Sequence, residues 1–372
     1  MRLLMLSWRG PHHPAAGGAE VYTLQVLREL VRRGHSATWF CEQSTGGMLE
    51  GIRVVAGGTI PGLYLAGRRF LRRYAQAFDA VVDQINVCGF LTPLGSPLPI
   101  LALIHQRAAD IWRYDRSPLR RYIGPAAEDL LLRPYRRVPF VTVSRTSLAD
   151  LRTRGWTGSG HVAYNGIAPD RYAPPPKEPV PTLVFLGRLQ APGKRLEDAL
   201  AVHALVRKTI PEARLWVLGR GTPPARTPAG VTFFRDVDDR RRDELLARAW
   251  LLIATSVREG WGRMVLEAAA SGTPCAVYGT PGLAEAAAAV EGVVVEPRPE
   301  ALARVAADHL RAPERLMSLG ARAAGMARHF NWRRTGDVWE AALSACTQKN
   351  HNPIERPPSA GRRAGNAARR LL

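Results

Sequence analysis

The chain has 372 residues, 46% of them hydrophobic and 23% charged. That length accommodates two domains with separate cores, and the hydrophobic fraction excludes a wholly disordered chain. No uncharged apolar run approaches the roughly 18 residues of a membrane span; the best stretch, around Leu245 to Thr255, contains Arg248.

The amino terminus, MRLLMLSWRG, is interrupted by Arg9 too soon to read as a secretory signal. Cys41, Cys88, Cys275 and Cys346 are isolated, without metal-ligand spacing or a disulfide framework, so a cytoplasmic location is the simpler expectation. Against 32 Asp and Glu stand 52 Lys and Arg, a formal net charge of +20. Most of the excess lies in the amino-terminal half and the tail. Such a surface favours phosphates, acidic lipid or nucleic acid, although an arginine-rich composition accounts for it equally well. Aromatic residues are few and not interleaved with the basic clusters, so a nucleic-acid-binding protein is the distant alternative.

Residues 2–8 read as a buried strand, followed by the turn-rich GPHHPAAGG and a helix over 19–33 that stops at Gly34. Within that turn, Gly17 and Gly18 offer backbone that a phosphate can approach closely, without the three glycines of the dinucleotide fingerprint. His12 and His13 beside them are candidate bases or parts of an exposed turn. Further strands are expected over 35–41, 80–83, 100–104 and 140–143. This alternation is the unit of a parallel sheet covered by helices. His105 follows the strand 100–104 directly, which places an imidazole at the edge of a crevice or in a structural hydrogen bond. Arg68, Arg69, Arg72 and Arg73 lie on a predicted helix, and eight more arginines follow between Arg107 and Arg137. They read either as contact with an anionic membrane or as a solvated helix face.

The proline-rich stretch 173–181 reads as a linker between a domain over 1–172 and another over 182–348. After it the rhythm restarts: strand 183–186, helix 195–208, strand 215–218, helix 240–249, strand 251–254, helix 264–271 and strand 275–278. The last helix has the option of packing back on the first domain. The basic tail 349–372 has no period and is expected to be disordered.

The chemistry concentrates at strand ends of the second domain. In TSVREGWGRMVLE a strand ends near Thr255 and a helix begins near Gly262, so the amides of Trp261, Gly262, Arg263 and Met264 would favour an anion. Glu259 and Glu267 flank that point and suit sugar and ribose hydroxyls. Earlier, FLGRLQAPGK puts Arg188 and Lys194 at another strand end, where two cations would neutralise a diphosphate. Gly219 and Gly221 form a third, weaker signal for close ligand approach. Asp238 or Asp239 reads as a helix cap rather than a metal ligand.

Together these residues resemble glycosyltransferase family 4. The resemblance is carried by Gly17-Gly18-Ala19-Glu20, by Arg188 with Lys194, by Tyr164-Asn165-Gly166-Ile167 and by the pair Glu259 and Glu267 followed by Ser271-Gly272-Thr273-Pro274. Gly282-Leu283-Ala284-Glu285 and Phe330-Asn331-Trp332 also fit. It implies the GT-B fold, two doubly wound Rossmann-like domains facing each other across a cleft. It further implies retaining, metal-independent transfer from a nucleotide-diphosphate sugar to an acceptor hydroxyl, with no cofactor. Arg188 and Lys194 would hold the diphosphate, Glu259 the donor sugar and Glu267 the ribose. The amides at Trp261, Gly262 and Arg263 would meet phosphate and sugar, and His105 would touch the transferring sugar. The stretches around Asp83 to Asn86, His105-Gln106 and Ile111-Trp112 look like a bacterial branch associated with cell-surface or secondary-metabolite glycans. The acceptor is then a hydroxyl compound with the option of a lipid carrier, and the protein sits in the cytoplasm or on the inner membrane face. An inverting GT-B enzyme with His13 or His12 as base is the alternative. Trp261, Arg263, Arg195 and Pro281 depart from the family pattern.

Overall fold

The computed structural model describes residues 1–43, 45–115, 117–167 and 176–348. The first unit runs β1 (Arg2–Arg9), α1 (Gly18–Arg32), β2 (Ser36–Glu42), β3 (Gly47–Leu49), β4 (Ile52–Ala56), α2 (Gly62–Tyr74), β5 (Ala80–Ile85), β6 (Ile100–Ile104), α3 (Pro118–Leu132), β7 (Phe140–Thr142), α4 (Arg145–Thr153) and β8 (Gly160–Val162). Among the described residues its eight strands take the order β3-β4-β2-β1-β5-β6-β7-β8. Every pairing is parallel except β3 with β4. The core of β1, Leu3 to Leu6, is buried on both faces, as a central parallel strand covered by helices requires. Tyr22, Val26, Leu27 and Leu30 give α1 one buried stripe, and Gly34, at φ +89°, ends it.

The second unit repeats the plan with β9 (Thr182–Leu186), α5 (Leu196–Arg207), β10 (Arg214–Gly219), β11 (Val231–Arg235), α6 (Asp239–Arg248), β12 (Leu251–Ala254), α7 (Arg263–Ala270), β13 (Cys275–Tyr278), α8 (Leu283–Ala288) and β14 (Val293–Val295). Its strand order is β11-β10-β9-β12-β13-β14. Order reverses beside β1 in the first sheet and beside β9 in the second, and ligands of open α/β sheets bind past the strand ends at such switch points. The loops after β1, β9 and β12 carry Gly17 with Gly18, Arg188 with Lys194, and Glu259 through Gly262. The sheet topology therefore gathers three of the motifs around one cleft.

Helices α9 (Pro299–Leu310) and α10 (Pro313–Ala327) complete the second unit, and α11 (Trp332–Gln348) packs back on the first. Trp339 of α11 is fully buried, and its indole N–H donates to the Tyr22 hydroxyl of α1 at 2.9 Å. Arg33 adds ion pairs to Glu340 at 2.6 Å and Asp337 at 2.8 Å. Two chain segments cross between the units where Ile167 N–H donates to the Phe330 carbonyl at 2.9 Å. Of the proline-rich stretch, 176–181 is fastened to the second unit. Lys177 Nζ donates to the Ala249 and Gly272 carbonyls, and the Trp250 indole donates to the Glu178 carbonyl. Residues 173–175 and the tail 349–372 lie outside the described residues. Among the described residues no helix is long and apolar enough to cross a membrane.

Because Trp339 joins α11 to the first unit by packing and a hydrogen bond, Trp339→Ala should destabilise the protein by about 3–5 kcal/mol. Denaturant unfolding measures this, and a loss below about 1 kcal/mol would contradict the packing account.

Candidate active site

The cleft is built from strand ends. Past β9, a tight turn places Lys194, followed by Arg195 in the left-handed region at φ 52°. The Thr255 hydroxyl, at the end of β12, lies 2.9 Å from the Lys194 carbonyl and 2.8 Å from that of Arg195, which pins the turn against its neighbouring strand. Lys194 Nζ then reaches the Glu259 carboxylate in a close ion pair. Arg188, on the same loop, is exposed.

Behind Glu259, close backbone packing fixes the loop. Glu259 N–H donates to the Pro281 carbonyl at 3.0 Å, and a Cβ on Gly282 would lie 1.9 Å from the Glu259 carbonyl oxygen, so only glycine fits. Gly262, at φ 69°, precedes α7, and no side chain caps that helix. Its first amides are thus left for an anion, with the helix dipole in support. Glu267, about a turn further on, is held by Arg263 at 2.9 Å and Arg242 at 3.5 Å.

From the first unit, Glu20 accepts the Gly17 N–H at 2.6 Å and holds the loop after β1. A Cβ on Gly18 would meet nothing within 4 Å, and neither Gly17 nor Gly18 has a positive φ. Backbone strain and packing therefore give no reason for glycine at position 18. Arg9, at the end of β1, stacks over Trp8 and faces Arg188 of the other unit. Burial pushes its pKa down, Arg188 adds to that, and Glu20 and Glu42 pull it back up. His105 packs edge-on against Tyr22, with ring centroids 5.0 Å apart. Its Nε2 lies 3.4 Å from Gln84 Nε2, and burial pushes its pKa down to about 4. The imidazole is therefore neutral at neutral pH. The His105 carbonyl is the other wall of the cleft, because a Cβ on Gly260 would come within 3.2 Å of it.

Several expectations gain detail from the structure. The Trp261 indole is buried against Tyr164 and Phe330, which leaves its backbone amide, the group expected to meet a ligand. Gly219 has a packing reason of its own: a Cβ there would lie 1.8 Å from the Gly187 carbonyl oxygen. Gly221 supplies a turn at φ +120°. His13 is tied into its own loop. Its Nδ1 accepts the Ala15 N–H at 3.0 Å and its Nε2 faces Glu42 at 3.6 Å, so the ring is oriented by its own loop and by β2. His12 is exposed. Arg107 is no surface charge: it is buried and paired with Asp129 at 2.7 Å. Asp238 does cap α6, accepting the Arg241 N–H at 2.7 Å.

Sequence reasoning assigned no role across the units to several residues that meet there. Arg9 was legible only by its place at a strand end. Arg220 donates to the Ala16 carbonyl at 3.3 Å, across to the loop carrying Gly17. Arg258, nearly buried, pairs with Asp150 at 2.8 Å. Glu285 of α8 accepts the Arg145 and Thr146 amides of α4 at 2.9 and 2.7 Å, capping a helix of the opposite unit.

Comparison with known proteins agrees with this architecture. Residues 16–171 match the model of Glycosyltransferase Family 4, and residues 180–311 match that of Glycosyl transferases group 1. A phosphatidyl-myo-inositol mannosyltransferase of Propionibacterium freudenreichii is 41% identical over 95 residues, 25% of this chain and 24% of that protein. A GDP-mannose-dependent alpha-(1-6)-phosphatidylinositol dimannoside mannosyltransferase of Mycobacterium tuberculosis is 34% identical over 171 residues, 44% of each chain. The matches thus span less than half the length of these curated relatives. Among solved structures, Anabaena HepE in complex with UDP and glucose superposes with a TM-score of 0.71 at 18% identity, covering 93% of this chain and 100% of that one. The fold is therefore GT-B. The chain belongs to the family 4, group 1 glycosyltransferases.

The buried imidazole has a consequence for stability. Unfolded, His105 takes up a proton near its ordinary value of 6.5, whereas in the fold it resists until about 4. The unfolded chain binds more protons in that window, so stability is full above pH 6.5 and falls as pH drops toward 4. Thermal unfolding across this range should show a shallower decline for His105→Gln than for the wild type. Parallel curves would contradict the assignment.

Proposed function

We propose that the protein moves a glycosyl group from a nucleoside diphosphate sugar to an acceptor hydroxyl with retention of configuration. The observation that carries this reading is the ion pair of Lys194 with Glu259 beside the uncapped start of α7. A diphosphate arriving there draws Lys194 and Arg188 to its oxygens and rests on the amides of Gly262 to Met264. Glu259, released from Lys194, accepts hydroxyls of the donor sugar, and Glu267 serves the ribose. Gly17 and Gly18 admit the phosphate from the opposite wall.

The acceptor oxygen then bonds to the anomeric carbon on the face from which the phosphate departs. The bond from that carbon to the phosphate oxygen breaks, and the same oxygen takes the acceptor proton. The cations and amides stabilise the charge that grows on the leaving group, and the cleft excludes water. No protein nucleophile, metal or cofactor enters the scheme. No histidine base enters it either, and His13 stays oriented by its own loop and by β2. Neutral His105 serves as a hydrogen-bonding group at the sugar.

The names of the relatives support a phosphatidylinositol-type, lipid-borne acceptor and hence a place in cell-surface glycan synthesis at the inner face of the membrane. They also support GDP-mannose as one donor to screen. The complex of the structural neighbour with UDP and glucose supports a uridine donor as the other.

Calorimetric titration of UDP, GDP, ADP and dTDP in chelator tests the site. One nucleotide should bind selectively, and Lys194→Ala should weaken it by about 100-fold. Failure of all four to bind would overturn the reading. Gly18→Ala should change stability by less than about 0.5 kcal/mol, since its Cβ has room. The same change should weaken the nucleotide about tenfold by crowding its phosphate. Unchanged binding would show that Gly18 does not line the phosphate site.

A further inference from the structure

Helix α3 exposes an unusual set of apolar side chains. Leu119 is 66% exposed, Tyr122 87%, Ile123 46% and Leu130 60%. Their spacing of three, four and seven residues puts them on one stripe of the helix. The opposite side of α3 is occupied by Glu128, which is buried and accepts from the Ala108 and Ala109 amides and the Trp112 indole; Asp129, half-buried at the edge of the stripe, pairs with Arg107 and Arg154. Glu128 is thereby turned inward and Asp129 is neutralised by two arginines, so the outward stripe is apolar.

Helix α2 covers the same face of the sheet. Val81 packs with Leu63 and Leu71 of α2, and Ile85 with Leu132 of α3. Four residues apart on β5, Val81 and Ile85 point to one side. The sequence of α2, GLYLAGRRFLRRY, contains no acid, and Arg69, Arg72 and Arg73 are exposed. One outer face thus combines an apolar stripe with a patch of arginine.

We propose that this face is a docking surface for an anionic lipid bilayer. Leu119, Ile123 and Leu130 enter the boundary of the acyl region, Tyr122 sits at headgroup level, and the arginines of α2 pair with lipid phosphates. Charge selects this occupant. A second copy of the same face would bring arginine against arginine, and the tail 349–372, itself rich in arginine, would be repelled. The segment leading into α3 also reaches the cleft: a Cβ on Gly193 would lie 3.8 Å from Ile111, and Arg195 stacks over Tyr114 at 5.4 Å. The segment that leads into the membrane-facing helix therefore adjoins the turn that carries Lys194. The inference rests on the lipid-borne acceptor reading and names the surface that reaches it.

Co-sedimentation of the full chain with vesicles of phosphatidylcholine alone, or mixed equally with phosphatidylglycerol, tests it. The wild type should bind the acidic vesicles. Leu119→Ser/Ile123→Ser should weaken that binding about tenfold or more, with thermal stability and nucleotide affinity unchanged. Arg69→Ala/Arg72→Ala/Arg73→Ala should weaken it at low salt, and its gap to the wild type should close near 1 M salt, where charges are screened within about 3 Å. Acidic vesicles bound equally by the serine variant, or not at all by the wild type, would overturn the proposal. So would a wild-type dimer that the serine variant converts to monomer, which would make the face a subunit interface. Nucleotide affinity measured on the same samples separates failure of this surface from failure of the transferase reading.

Discussion

The ion pair of Lys194 with Glu259 sets the charge of the cleft, and much of the arrangement around it follows from that. Arg9 closes β1 and Arg188 follows β9, and Arg188 works against the charge on Arg9. Glu20, a stronger influence than Arg188, favours that charge, and Glu42 adds to it. Past β9, Lys194 is neutralised by Glu259, leaving Arg188 in solvent. In the proposed reaction a diphosphate entering between the units would compete with Glu259 for Lys194.

The two units are attached on three sides of the cleft. Glu285 caps α4 of the opposite unit, Arg258 pairs with Asp150 away from water, and α11 crosses back to bury Trp339 beneath α1. Beside these polar contacts, an apolar cluster runs from one unit into the other where Trp261 packs on Tyr164 and Phe330.

Much of this was legible in the sequence because parallel strands and their glycine loops leave strong patterns. Buried runs such as RLLMLSW, and turns such as GRLQAPGK, located the elements they belong to within a residue or two. The short edge strands β3, β8 and β14 span three residues each, too few to show a period. Helix α3 was obscured by Pro125 in its interior and by apolar residues facing outward, which breaks the rule that patterns are read by. Charge was the least legible property. Arg107 looked like surface and is buried, while Arg9 looked like the end of an apolar segment and is a wall of the cleft. Composition counts charges, and only the fold decides which of them meet.

The most direct test of the central claim is a crystal structure with the selected nucleoside diphosphate bound. The account predicts the terminal phosphate on the amides of Gly262 to Met264, with Lys194 turned from Glu259 to the phosphate and Arg188 beside it. A diphosphate bound elsewhere, or one that leaves Lys194 on Glu259, would contradict it.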